Sequence, residues 1–175
     1  MKKYVALLRG INVSGQKKIK MAELKVALEA VGLQSVQTYI QSGNIVFESE
    51  ESEEQAAACI EGAIYGAYNF EVPTVVFEQS TLEGIRAAHP FRTQVEDTKG
   101  LYVCWMLDEP AEDRLQLLAD ADLGGDEYQI IDHLIYTCYH RGMGKSKMDI
   151  SFLEKKLKVR ATSRNWNTVS KLIEM

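Results

Sequence analysis

Val36-Gln37-Thr38-Tyr39-Ile40-Gln41, then Ser42-Gly43-Asn44, then Ile45-Val46-Phe47, is the stretch that decides how the rest of the chain folds. Val36, Thr38 and Ile40 alternate with Gln37, Tyr39 and Gln41, the period of a half-buried strand. Ser42-Gly43-Asn44 is turn chemistry, because Gly43 accepts a positive φ at no steric cost. Ile45–Phe47 is the returning strand, so the whole is a β-hairpin. Upstream, Met21, Leu24, Leu28 and Val31 recur at helical spacing and Gly32 supplies a stop. Before that helix come a basic, glycine-containing loop, Gly10 to Lys20, and a short apolar strand, Tyr4–Arg9. Downstream, acidic residues from Glu50 to Glu54 precede an alanine-rich helix to about Tyr68, and Val72–Glu78 is a further strand. The order is β-α-β-β-α-β, followed by an extra helix, Ser80–Ala88, that His89-Pro90 ends.

After a polar connection the pattern begins again. Leu101–Leu107 is a strand, Pro110 opens a helix to about Ala119, and Glu127–Asp132 with Leu134–Tyr139 form a strand pair. Ser146–Leu157 is expected to be helical, Val159–Thr162 a short strand, and Asn165–Glu174 a final helix. No residue identity joins the halves, so the duplication rests on element order. The fold class expected is α+β, two ferredoxin-like plaits each followed by an extra helix. The expected boundaries are 1–90 and 100–175, with 91–99 as linker. In such a plait the first and second strands run the same way, so the loop after strand one and the turn after strand two lie on one sheet edge. Gly10–Lys20 and Ser42–Asn44 are therefore expected to converge.

With 46% hydrophobic and 26% charged residues the chain is of globular, not disordered, composition. No apolar run approaches the ~20 residues that span a bilayer, and about five apolar residues before Arg9 are too few for a signal peptide. A cytoplasmic protein is expected. Cys59, Cys104 and Cys138 form no CxxC and are odd in number, which speaks against a disulfide framework and for buried reduced thiols. Three histidines without metal-ligand spacing give no reason to expect a metal, and no cofactor is expected. The net charge of −5 is unevenly spread: residues 1–47 and 140–175 are basic, while 48–139 are strongly acidic. Such asymmetry suits an anionic partner, or attraction between segments.

Three motifs carry a family resemblance. Tyr4-Val5-Ala6-Leu7-Leu8-Arg9-Gly10-Ile11-Asn12-Val13, with Met21-Ala22-Glu23-Leu24, resembles the opening signature of the bacterial domain-of-unknown-function family 1697. Thr38-Tyr39-Ile40-Gln41-Ser42-Gly43-Asn44 and Ala161-Thr162-Ser163-Arg164-Asn165-Trp166-Asn167-Thr168-Val169 resemble its later motifs. The likeness spans essentially the full chain. Ser14 departs from it, standing where the family often has a second glycine beside Gly15. The resemblance implies paired plaits, and supplies no established activity, substrate or catalytic residue.

The residues themselves point to anion chemistry. The Arg9–Lys20 loop joins a strand to a helix N-terminus and holds Gly10, Gly15, Lys17, Lys18 and Lys20, a setting suited to phosphate or carboxylate. It is not a Walker loop: Gln16 stands where the lysine belongs and no Ser/Thr follows. Arg9, ending an apolar strand, needs a carboxylate, a carbonyl or a ligand. In Ser163-Arg164-Asn165-Trp166, capping by Ser163 or Asn165 and packing of Trp166 explain all but Arg164. The expectation is binding of a small anionic ligand, a phosphorylated metabolite or nucleic-acid backbone. Arg9, Lys17 and Arg164 would supply charge, while Asn12, Ser42, Asn44 and Asn165 would orient it. Nucleic acid is the weaker choice, since Ile45-Val46-Phe47 lacks the pattern of an RNA-recognition plait. Two rivals stay open: an enzyme using the same cleft with Tyr39 or a histidine as acid or base, and an interaction module binding a partner or second copy. Tyr39, Tyr139 and Trp105 are expected as core or sheet-face aromatics, not stacking platforms.

Overall fold

Tyr4 to Leu8 are consecutive buried residues, and a strand buried on both faces must pair along both edges to satisfy its peptide groups. In the computed structural model, which describes residues 1–175, this strand, β1 (Lys2–Leu8), lies between β3 (Asn44–Ser49) and β4 (Thr74–Glu78), antiparallel to each. The edge strand β2 (Gln34–Tyr39) completes a sheet of order β2-β3-β1-β4. Helices α1 (Met21–Ala30) and α2 (Glu53–Tyr68) cover one face. There Leu24, Leu28, Ile60 and Ile64 pack on Ala6, Leu8, Ile45 and Phe47. The ends of α1 and α2 follow local chemistry. At the end of α1, Gly32 (φ +100°) turns the chain and the Leu33 N–H donates to Leu28 O, a Schellman closure. Ser52 and Gln55 form a reciprocal capping box at the start of α2. Helix α3 (Thr81–Ala87) follows β4.

The second half repeats the architecture with β5 (Leu101–Met106), α4 (Glu112–Ala119), β6 (Glu127–Ile131), β7 (Leu134–Cys138), α5 (Ile150–Leu157), β8 (Ala161–Asn165) and α6 (Trp166–Glu174). Its sheet order is β6-β7-β5-β8, all antiparallel, with Leu118, Leu153 and Leu157 packed on Cys104, Met106 and Ile135. The chain is thus two ferredoxin-like α+β plaits. Its compact units are Met1–Gly84 with Lys171–Met175, and Ile85–Ser170. Segment 91–99 lies in the second unit, with 3-10 turns at Arg92–Gln94 and Thr98–Gly100. In the first unit Gln79 Nε2 donates to Leu172 O (2.6 Å) and Lys3 Nζ to Met175 O (2.8 Å). No helix is long and apolar enough to cross a membrane.

Four local expectations are corrected. Ile40 does not end an alternating strand: β2 stops at Tyr39, and Ile40 turns outward at φ +49°, 48% exposed. The helix expected from Ser146 begins at Ile150, because Asp149 Oδ1 accepts the Phe152 N–H (2.8 Å) and caps it there. The last strand begins at Ala161, later than Val159, because Lys158 is left-handed and Arg160 is held to Asp108 through its backbone N–H and a bidentate guanidinium. It runs on through Arg164, so that residue is in a sheet and not at a helix start.

Gly43 is the tightest point of the first plait. A Cβ there would lie 2.7 Å from Leu8 Cβ and 2.8 Å from Ile11 Cδ1, and its φ is +82°. Gly43→Ala is expected to cost roughly 2–4 kcal/mol from backbone strain and overpacking, measured by urea unfolding. A loss below about 1 kcal/mol would show that the corner yields.

Candidate functional site

The expected convergence of loop and turn is present. The Leu8 N–H donates to Gly43 O (2.8 Å), so the pairing of β1 with β3 runs into the turn. Beyond it, Asn12 joins the two segments. Its Nδ2 donates to Ile19 O (3.0 Å) and Gln41 O (2.8 Å), and its Oδ1 accepts the Ile19 N–H (2.9 Å). One carboxamide therefore closes the neck of the loop and ties it to a turn 29 residues away. Asn12 sits at φ +54°, a conformation asparagine tolerates better than most residues. Ser14, Gly15 and Lys17 are also left-handed, which folds the exposed tip 13–16 back on itself through Gln16 N–H to Val13 O (3.0 Å).

Five of the expected residues thus gather at one end of the first sheet. Their side chains are not equivalent. Asn44 is fully buried, and its Nδ2 donates to Tyr39 O (2.9 Å) and Ser42 Oγ (3.0 Å), so it shapes the turn from inside. Lys17 Nζ donates to Glu71 O (2.6 Å) and lies over the Phe70 ring. Arg9 is half-buried, its backbone N–H on Pro73 O (3.0 Å), and Ser42 is exposed. Lys18, which carries no ion pair, is exposed beside them, whereas Lys20 pairs with Glu23 (2.9 Å). A cleft of about 470 Å³ elsewhere in the first unit has its cations engaged, Lys2 on Glu78 and Lys3 on Met175 O.

Arg164 and Asn165 belong to the second unit. Arg164, in β8, is only 6% exposed; its Nη1 donates to Thr162 Oγ1 (2.7 Å) and Ser163 O (2.8 Å). Burial pulls its pKa down to about 10, which leaves it charged at neutral pH. Asn165 Oδ1 accepts the Thr168 N–H (2.8 Å) and caps α6. His89 is a core residue: Nε2 donates to Tyr102 O (3.1 Å) and the ring meets Phe91, Tyr136 and Trp166 edge-on. Burial holds its pKa below the ordinary histidine value. Trp105 and Tyr139 are buried as expected, while Cys59 is only half-buried.

One constellation was not evident in the sequence. Glu127, Cys138 and His140 bring a carboxylate oxygen, a sulfur and a ring nitrogen within 4.8 Å of one another. The only linear signal is Cys138-Tyr139-His140; Glu127 joins it through strand pairing.

A model of the family described as "Protein of unknown function (DUF1697)" matches residues 1–136, and the chain belongs to that family. Among solved structures, the conserved bacterial protein SP0830 from Streptococcus pneumoniae is similar. It has 24% identity and a TM-score of 0.74, over 98% of this chain and 97% of that one. That likeness shows the shared fold. No curated protein matches the sequence.

Two outcomes follow for the residues placed here. Asn12→Ala removes three hydrogen bonds and is expected to cost about 2–3 kcal/mol, with faster hydrogen exchange at the Ile19 amide. His89 resists protonation when folded but not when unfolded, so stability falls as pH drops below the ordinary histidine value of 6.5. Urea unfolding at pH 7.5 and 5.5 should show a smaller loss in His89→Phe than in the wild type.

Proposed function

We propose that this member of the family binds an anionic ligand at the corner where the Gly10–Lys20 loop meets the 40–43 turn. The observation that carries the reading is the Asn12 carboxamide, bonded at once to the loop neck and to Gln41. It holds two exposed, polar, glycine-containing segments in one arrangement before any ligand arrives, and preorganisation lowers the entropic cost of binding. Arg9, Lys17 and the exposed Lys18 supply positive charge. Ser42 offers a hydroxyl, while Asn12 and Asn44 act as scaffold for the backbone around it. Positive φ at Gly10, Asn12, Ser14, Gly15 and Lys17 curls the loop tightly, and a curled backbone can turn N–H groups toward phosphate or carboxylate oxygens. In this reading Arg164 and Asn165 serve the second unit, the one as a buried hydrogen-bonded cation and the other as a helix cap. The ligand class is a phosphorylated metabolite, with nucleic-acid backbone as the macromolecular alternative.

A thermal-shift panel of phosphorylated metabolites, nucleotides, carboxylates and short RNA tests this on the wild type, Arg9→Ala and Lys18→Ala. A ligand at about 100 times its Kd stabilises the fold by roughly 2.7 kcal/mol. The expected result is a hit among the phosphorylated compounds that weakens in both variants. A hit indifferent to both substitutions, or none at all with every variant folded, overturns the proposal. RNA as the ligand would be marked by an affinity that falls steeply with salt.

A further inference from the structure

The second unit holds a cluster whose chemistry differs from that of the basic corner. Glu127 at the start of β6 and Cys138 at the end of β7 are directly paired, so their side chains leave the same face of the ribbon. His140 follows two residues later, and Asp126 Oδ1 accepts its backbone N–H (2.9 Å), fixing where the imidazole starts. The result is a His140 Nε2 that lies 2.8 Å from Glu127 Oε2 and 4.0 Å from Cys138 Sγ.

Both neighbours approach the same ring nitrogen, and this discriminates between two chemistries. In a thiol–imidazole–carboxylate relay the carboxylate holds one ring nitrogen and leaves the other for the thiol. Here oxygen and sulfur converge on Nε2, the arrangement of three ligands around one point. We propose that Glu127, Cys138 and His140 bind a divalent cation of the zinc class. A mixed sulfur, nitrogen and oxygen donor set matches borderline-soft ions and is unsuited to calcium or magnesium, which take oxygen ligands. Tetrahedral bonds of ~2.0–2.3 Å separate donor atoms by roughly 3.3–3.8 Å. Carboxylate and imidazole must therefore part by about half an ångström, and the sulfur must close by about half an ångström on the imidazole and by up to about 1.3 Å on the carboxylate. The first two are free to do so, with side chains 48% and 47% exposed, while Cys138, 2% exposed, anchors the site from within. Binding takes the thiol as thiolate and passes its proton to solvent. Three protein ligands leave a fourth position to water.

Cobalt(II) is the probe. Chelator-treated full-length protein, titrated with cobalt(II), is expected to develop a thiolate-to-cobalt charge-transfer band with tetrahedral d–d absorption, saturating at one ion per chain and displaced by zinc(II). Cys138→Ser should abolish the charge-transfer band and Cys59→Ser leave it intact. Glu127→Gln and His140→Ala, at half-exposed positions that leave the core untouched, should each weaken binding at least tenfold. These two decide the matter even where Cys138→Ser perturbs the fold. The absence of a sulfur-to-cobalt band in the wild type, its survival in Cys138→Ser, or unchanged affinity in both other variants would overturn the site and leave a surface histidine–carboxylate pair.

Discussion

The interaction on which the first plait depends is the double pairing of β1. Tyr4 to Leu8 are buried, and their peptide groups find partners in β3, β4 and, for Leu8, the adjoining Gly43 turn. Once Leu7 stands opposite Asn44, Leu8 must meet Gly43, and a side chain on Gly43 would collide with Leu8 and Ile11. The chain leaving β1 is thereby delivered to the 40–43 turn, where Asn12 fastens it. Register in the core thus sets the geometry of an exposed loop.

The second plait follows the same order but places its distinctive chemistry elsewhere. In the first, the basic corner is at the end of the sheet where the β2–β3 hairpin turns. In the second, Glu127 and Cys138 lie at the opposite end of the equivalent hairpin, away from the His133 turn. It also buries a cation and an imidazole, where the buried polar side chains of the first unit, Asn44, Ser49 and Thr74, are neutral. The Arg164 guanidinium and the His89 imidazole are both buried, both hydrogen-bonded, and both shifted toward their neutral forms by desolvation. Buried polar groups of this kind tolerate little rearrangement, because an unmade hydrogen bond costs more than a made one contributes.

Much of the architecture was legible in the residues. Helical spacing from Met21 to Leu28, the acidic residues before the second helix, and the Ser42-Gly43 turn are local signals, and local physics honours them. The convergence of loop and turn was legible too, since it follows from strand order alone. Ile40 misled, because alternation does not say where a strand stops; the pairing of Tyr39 with Asn44 does. Arg164 misled for the related reason that β8 runs further than its composition suggests.

By itself, then, the sequence determined the element order, the two plaits and the corner at which Arg9, Asn12, Lys17, Ser42 and Asn44 gather. Periodicity, caps and turns are properties of neighbouring residues, and topology follows from their succession. Only the tertiary structure decided what those side chains touch. Asn12 spends its amide on Ile19 and Gln41, Arg164 is buried in β8, and Glu127 meets Cys138 and His140. Each of these rests on strand register and burial. They depend on which strands pair and in which register, and no local pattern encodes them.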